Sequence, residues 1–443
     1  MLERERDRMT TKHKIVLIGA GSLQFGIGTV GNILASEILA GSTICLHDIN
    51  ASALDLTRTA CQAAIDEGNH EHELDATIER QEALKGADFI INAIEVPPRF
   101  KLWNIDYMVP LQFGCKQVTG ENGGPGGFFH ALRVIPPILE ICKDVRATCP
   151  GATVINFSNP MSRICLAIKR TFPSLKVVGL CHEFHHFVPQ VGHVLDVPPA
   201  ELALRGGGLN HFGVFVDIRR ANDNVDLYPL VCQRGPEHFR SIRGYDGFTL
   251  AAFILEKFGY LPYTPDSHFG EYLQWAWEQA DIPAIRQFIS TYESVLAEDH
   301  AKLVRLIKKG KGARVVKPDE ERAIPIIEAM ISGITTIEHS VNIPNDGLID
   351  NLPRDLVIEG PAEVGSDGIK GIPLGSLPKG IAALLVQQAA VQDLTVEAIL
   401  TGSRDVAMQA LLADPVVETH WQASRILDEV LRQQDRYLQV KLT

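Results

Sequence analysis

No stretch of about eighteen consecutive apolar residues occurs in the chain, so the sequence offers no membrane-spanning helix. Long basic runs are missing too: 42 Lys and Arg stand against 54 Asp and Glu, a net charge of −12 at pH 7. Without a cationic stripe, neither nucleic acid nor an anionic membrane is expected as the main partner, which leaves small molecules. The first dozen residues lack the apolar core of a secretory signal and read as a disordered leader over 1–12. The eight cysteines include no C-x-x-C and no paired spacing, and 443 residues need no disulfide staples. Reduced thiols in a cytoplasmic protein are therefore expected. Internal repeats and low-complexity tracts are absent as well.

What is present starts with Lys14-Ile-Val-Leu-Ile-Gly-Ala-Gly21, a continuous apolar strand ending in glycines, followed by Ser22 and a helical stretch from Gly28 to Leu39. Bare amides at such a strand-to-helix turn can hold a pyrophosphate. A second strand, Thr43–His47, ends on Asp48, whose carboxylate suits adenosine ribose hydroxyls and disfavours a 2′-phosphate, so NAD is preferred over NADP. The spacing departs from G-x-G-x-x-G, because Gln24 stands at the third position and the next glycine is Gly26.

Further strands are expected at Ala87–Ala93, Ala152–Phe157 and Leu175–Leu180, alternating with helices at 51–66 and 131–147. That order predicts an α/β fold: a Rossmann-like doubly wound parallel sheet over 13–205. Past His211 helices dominate, from about 237 to 341 and from 379 to 434, with strands and a hairpin between them. A second, mixed α+β domain is expected over 206–443, carrying substrate, metal and oligomer contacts. Gly19, Gly21, Ser22, Asp48 and Asn92 are the candidate cofactor-binding residues.

Ligands of doubly wound sheets lie beyond the strands' carboxyl ends, and several polar residues fall there. Glu121 sits in a glycine-dense loop, Gly120 to Gly127, that opens a helix; it is a candidate acid, although the helix dipole alone favours an acidic residue in such a place. Asn159 precedes Pro160 and another helix, where it can cap or contact a sugar hydroxyl. Leu175–Leu180 delivers Cys181, and the Gly207-Gly-Leu-Asn210-His211 stretch delivers His211. A thiolate and an imidazole are good ligands for a divalent metal, and two ligands leave positions open for substrate oxygens. A cysteine beside a strand is also commonly a small buried hydrophobe. Gly259 to Tyr272 is dense in Tyr, Asp, His and Glu, in a loop that enters a helix.

Together these pieces resemble glycoside hydrolase family 4, the NAD- and divalent-metal-dependent glycosidases. The resemblance rests on Gly19-Ala-Gly-Ser22, Asp106 to Pro110 with Phe113-Gly114, Gly120 to Arg133, Asn159-Pro160 and Cys181-His-Glu-Phe184. It continues through Asn210-His211, Ser267 to Tyr272 and Asn342-Ile-Pro-Asn-Asp-Gly347, and so spans the whole chain in order. It implies that Cys181 and His211 hold Mn²⁺ or another divalent transition metal, and that Asn159, His182, Asn210 and Arg133 bind substrate. Glu121, where many members carry Asp, would be the acid for the leaving group. Asp266 is the best positional match for the base, with Tyr260, Tyr263 and Tyr245 as alternatives.

The implied reaction is hydrolysis with no net redox change: oxidation of the sugar at C3 with NAD, loss of the C2 proton, departure of the aglycone, addition of water and re-reduction. This is an exception to the two-carboxylate scheme of most glycosidases. Phosphoglycoside members usually carry Cys-Asn where this chain has Cys181-His182-Glu183. The substrate is accordingly expected to be an unphosphorylated α-glycoside, α-glucosides first, with α-galactosides or uronic-acid glycosides (galacturonide, glucuronide) as alternatives. The resemblance and the apolar helical second half both suggest a homodimer or homotetramer. The main rival is an NAD-dependent hydroxy-acid or sugar dehydrogenase sharing the nucleotide fold. A non-catalytic NAD-binding regulator is a third reading.

Overall fold

The computed structural model describes residues 12–443. The expected leader therefore lies outside the described residues except for Lys12, whose ammonium meets Glu73 at 3.0 Å. A mixed sheet of eleven strands runs through the molecule in the order β3-β2-β1-β4-β5-β6-β9-β10-β7-β8, with β11 paired to β10. The first six strands are β1 (Lys14–Ile18), β2 (Thr43–His47), β3 (Glu73–Thr77), β4 (Phe89–Asn92), β5 (Thr153–Asn156) and β6 (Lys176–Gly179), and all pair in parallel. Strands β4 and β5 are buried at every position, the mark of strands covered by helices on both faces.

Ala87–Ala93 is thus the fourth strand and not the third. The strand that sequence reasoning passed over, β3, reads Glu-Leu-Asp-Ala-Thr and alternates between exposed and half-buried positions. It lies at the sheet edge, where charge protects against edge pairing and hides the strand from an apolar-run search.

The second half also builds on the same sheet. Strands β7 (Leu202–Leu209), β8 (Phe212–Arg220), β9 (Thr336–Pro344), β10 (Val357–Gly365) and β11 (Gly368–Gly371) pair antiparallel, and β6 meets β9 at Gly179 and Asn342. Position 205/206 falls inside β7. Helices occupy Thr249–Phe258, Ile282–Lys308 and Ala323–Ser332, and β9 begins at Thr336, inside the stretch expected to be helical to 341. A main core surrounds the sheet. A second cluster, including Phe184, Phe215, Phe239, Leu255 and Tyr263, fills the space beneath the β7–β8 hairpin.

The chain leaves β1 outward to β2 and returns to β4 on its other side, so the carboxyl ends of β1 and β4 form the switch point of the parallel half. On the far side of β6, the β7–β8 hairpin closes on a two-residue turn, Asn210-His211, between the paired Leu209 and Phe212.

Candidate active site

The Gly19–Ser22 turn is fastened to the next strand: Gly19 and Ala20 N–H groups both donate to His47 O, at 3.0 and 3.1 Å. Asp48 then closes it, Oδ2 accepting from Gly21 N–H at 2.8 Å and Oδ1 from Asn50 N–H at 2.8 Å. A side chain on Gly21 would place Cβ 2.6 Å from Asp48 Oδ2, and one on Gly26 would place it 2.8 Å from Ala20 O. These glycines serve close backbone approach and helix-to-strand packing. Ser22 is exposed at the start of the Leu23–Ala35 helix, and no side chain fills that helix's N-terminus. The turn fits a dinucleotide. Asn92 lies deeper: 1% exposed, it donates to Asn156 Oδ1 at 2.8 Å and Ser158 Oγ at 3.3 Å, bracing the ends of β4 and β5.

Cys181 to Glu183 follow β6 and begin the Glu183–Leu195 helix. His211 is in the turn beside them with φ 61°, a left-handed conformation that a non-glycine residue holds only under constraint. Burial and the neighbouring His268 push its imidazole well below the usual value, so it stays neutral. Its buried Nδ1 has no hydrogen-bond partner among the described residues. The rings of His211 and His268 are edge to face, 4.5 Å apart.

Glu183 joins the two halves of this cluster. Burial alone would raise its carboxyl, but the imidazoles of His268 and His182 outweigh burial and hold it near 2. Around Cys181, burial pushes the thiol well up, and Glu359 and Glu183 add to the rise. Glu359, from β10, accepts from Asn210 Nδ2 at 2.7 Å and Asn342 Nδ2 at 3.0 Å, while its Oε1 has no partner. A neutral imidazole and a thiol amid two carboxylates form a donor set that a divalent cation would stabilise. Among the described residues no group of three or more His, Cys, Asp or Glu is arranged to enclose a metal.

His182 lies between two carboxylates, Nε2 at 3.3 Å from Glu183 and Nδ1 at 3.4 Å from Glu321. Their hydrogen bonds overcome burial and raise its imidazole to about 10, so it carries charge at neutral pH. Asn159 is half-buried between Ser158 and the Met161–Thr171 helix.

Glu121 is held by Arg99 Nη2 at 3.3 Å. The backbone after it is bound by Glu271, which accepts from Asn122 N–H at 2.5 Å and also from Gly123 N–H and the Thr119 hydroxyl. Arg133 borders the same small cavity as Glu121, but its Nη1 lies 3.0 Å from Asp106 Oδ1 and 2.6 Å from Gln434 Oε1, and its Nη2 lies 2.5 Å from Asp106 Oδ2. Expected to bind substrate, Arg133 is instead spent on a fully buried ion pair.

The expected bases separate. Asp266 is 1% exposed and caps the Thr249–Phe258 helix: its carboxylate accepts from Thr249 Oγ1 at 2.8 Å, Leu250 N–H at 2.9 Å and Ala251 N–H at 3.1 Å. Tyr260 packs at 5.9 Å against Tyr228, in a different cluster of side chains from the histidines. Tyr263 is fully buried among Phe184 and Phe215. Tyr245 is at the histidines: its ring meets His268 at 5.9 Å and stacks on Phe288 at 3.7 Å. Burial pushes its phenol well up, and Glu121 and Glu271 push it further. His268 and Glu359 join the site without having been singled out in sequence. His268 lies in the Gly259–Tyr272 tract that was, whereas Glu359 sits in an apolar strand with no local signal.

Residues 14–197 match the model of the family 4 glycosyl hydrolases, and residues 207–417 match that of the family 4 glycosyl hydrolase C-terminal domain. An α-glucosidase of Erwinia rhapontici is 40% identical, with 96% of this chain and 98% of that protein covered. An α-galactosidase of Rhizobium meliloti is 29% identical, with 96% and 89% covered. Among solved structures, a putative glucosidase of Bacillus subtilis aligns with a TM-score of 0.85 at 26% identity, covering 95% of this chain and all of that one. A 6-phospho-α-glucosidase from gut microorganisms, in complex with NAD and Mn²⁺, aligns with a TM-score of 0.83 at 22% identity, covering 98% and 100%.

Proposed function

From the premise that this chain belongs to family 4 of the glycosyl hydrolases, we propose that it hydrolyses unphosphorylated α-glycosides, α-glucosides first, with NAD and a divalent metal such as Mn²⁺. The observation that carries the reading is the gathering of Cys181, His182, Asn210, His211 and His268 around the carboxylates of Glu183 and Glu359. Gly19, Gly21 and Ser22 would cradle the pyrophosphate, and the lone pairs left on Asp48 would take ribose hydroxyls. Cys181 and His211 would hold the metal. When bound, NAD supplies a reversible two-electron acceptor for sugar C3, and the metal a Lewis acid beside it.

The chain's own groups supply the rest. Asn159, Asn210 and the imidazolium of His182 would orient sugar hydroxyls. Tyr245 is the base this reading assigns to the C2 proton, because it faces His268 while Asp266 is committed to a helix end. Burial, with Glu121 and Glu271 beside it, holds it as a phenol, so the assignment rests on its place at His268. Glu121, tied to Arg99, is the carboxyl assigned to the departing oxygen. The Cys181-His182-Glu183 sequence favours an unphosphorylated glycone. The α-galactosidase relative keeps α-galactosides as the second reading. No helix of the described residues is long and apolar enough to cross a membrane, and the eight cysteines are free, which suits a cytoplasmic enzyme. From residue 286 to 306 the Ile282–Lys308 helix buries no side chain, which supports a homodimer or homotetramer that covers it.

The experiment is a panel of p-nitrophenyl α- and β-glycosides in D₂O, with NAD, Mn²⁺ and thiol each added or withheld. Cleavage of the α-glucoside that needs NAD and metal, with deuterium entering at C2, is expected. NADH accumulation without cleavage would return the dehydrogenase reading, and activity on 6-phosphosugars alone would overturn the substrate class.

A further inference from the structure

Arg163, third residue of the Met161–Thr171 helix, is 1% exposed, and its Nε, Nη1 and Nη2 atoms find no hydrogen-bond partner among the described residues. A guanidinium cannot shed its charge in a protein, and a buried unpaired charge is strongly unfavourable. It borders a small cavity of about 10 Å³, room for a body the size of one water. Asn122, 3% exposed, lines the same cavity, and neither its Nδ2 nor its Oδ1 has a partner. Two helix N-termini converge here, those of Gly124–Thr148 and Met161–Thr171, each adding positive potential.

The carboxylates that act on Arg163 from further off are occupied elsewhere. Glu271 is bound by Thr119 and by the amides of Asn122 and Gly123, and Asp414 takes Val416 N–H at 3.1 Å through Oδ1. Asp414 Oδ2 is without a partner, but Asp414 is not part of the cavity wall. The wall thus offers a cation, the Asn122 amide and the N-terminus of the Met161–Thr171 helix, and no carboxylate.

We propose that this cavity binds a monoatomic monovalent anion, chloride in ordinary buffers. Such an ion accepts from several N–H groups at once and neutralises the guanidinium, whereas a single water accepts fewer and leaves the charge unmet. Phosphate and sulfate are too large for the space. The ion joins three segments that carry the candidate active site. Asn122 follows Glu121, Arg163 follows Asn159, and Ser162 Oγ accepts at 3.2 Å from the N–H of Asn210, which precedes His211. The anion is therefore a fastener beneath the site, independent of which sugar is cleaved.

The test uses the full chain with NAD and manganese acetate, crystallised from bromide in place of chloride, with diffraction at the bromine edge. An anomalous peak in contact with the Arg163 nitrogens is expected; an ordered water only, with no anomalous signal there, would overturn the proposal. Thermal unfolding in chloride, bromide, sulfate and gluconate at equal ionic strength is the second arm. A saturable rise of several degrees in the two halides alone is expected, and its loss in Arg163→Gln. An equal response to all four salts would refute halide binding even if the variant fails to fold.

Discussion

Gly21 N–H donates to Asp48 Oδ2 at 2.8 Å, and a Cβ on Gly21 would stand 2.6 Å from that same oxygen. The turn and the acid are therefore one unit, and a methyl group at 21 displaces the carboxylate. Gly21→Ala is expected to weaken NAD binding about tenfold or more, the equivalent of one strong hydrogen bond lost, with little change in Tm. Asp48→Ser should narrow the preference for NAD over NADP, because the charge that repels a 2′-phosphate is gone. Titration of both dinucleotides by calorimetry reads both effects; unchanged NAD affinity in Gly21→Ala would count against a dinucleotide seat here.

Arg133 separates a structural ion pair from a substrate contact. Removing one member of the buried Arg133–Asp106–Gln434 set leaves a carboxylate unpaired in the core, a loss of about 3–5 kcal/mol. Arg133→Met should lower the denaturant midpoint sharply while the folded fraction keeps its KM. A raised KM at full stability would return Arg133 to the substrate.

The legible parts of this architecture are those with a local signal. β1 is buried at all but its first position and runs straight into glycines, so both the strand and its ligand turn are readable from residues 14–22. Cys181 and His211 stand at strand ends, where the parallel-sheet rule directs attention. β3 was hidden because an edge strand carries charge, and the union of both halves in one sheet was hidden because the β6–β9 pairing joins residues far apart in sequence. Asp266 shows the opposite failure. Nothing in Pro-Asp-Ser-His distinguishes a catalytic acid from one that caps a helix beginning 17 residues earlier, and only the tertiary fold brings Thr249 to it.

Glu271 gives a pH dependence with a definite sign. Burial and Glu121 push its carboxyl up to about 8 against an ordinary 4.5. A group raised on folding contributes its full stability below the unfolded value and loses it as pH climbs through the folded one, here from about 4.5 to about 8. Asp266 and Asp414, both pushed up to about 6, act in the same sense over a lower window. The interval from about 6.5 to 8.5 lies above both and is shared by Glu271 and the imidazole of His182, which is raised to about 10 and acts in the same sense. Wild-type Tm should fall across it, and Glu271→Gln should lessen that fall and leave the share of His182; equal slopes would show that Glu271 is already ionised in the fold.

Glu121 is tested by the leaving group. An acid matters when the departing oxygen is a poor leaving group and matters little when it is p-nitrophenolate. Glu121→Gln is expected to lose about 10²-fold or more in kcat on an α-linked disaccharide and much less on the p-nitrophenyl glycoside. Equal losses on both would move Glu121 from proton delivery to supporting Tyr245, which it also faces.

Of the four groups expected as base, Tyr263 is buried among Phe184 and Phe215, and the other three divide by what each touches. Tyr245 meets His268 in the histidine cluster, Asp266 holds the N–H groups of Leu250 and Ala251, and Tyr260 packs on Tyr228. Tyr245→Phe should cut kcat by about 10²–10⁴ with unchanged Tm, the range of a lost general base, and should abolish deuterium uptake at C2. Asp266→Asn should lower stability by about 1–2 kcal/mol, as lost caps do, while the protein that remains folded still exchanges the C2 hydrogen. Tyr260→Phe should leave both readings alone. If C2 exchange survives in Tyr245→Phe and vanishes in Asp266→Asn, the cap must open during turnover, and the Thr249–Phe258 helix would be a moving part of the site.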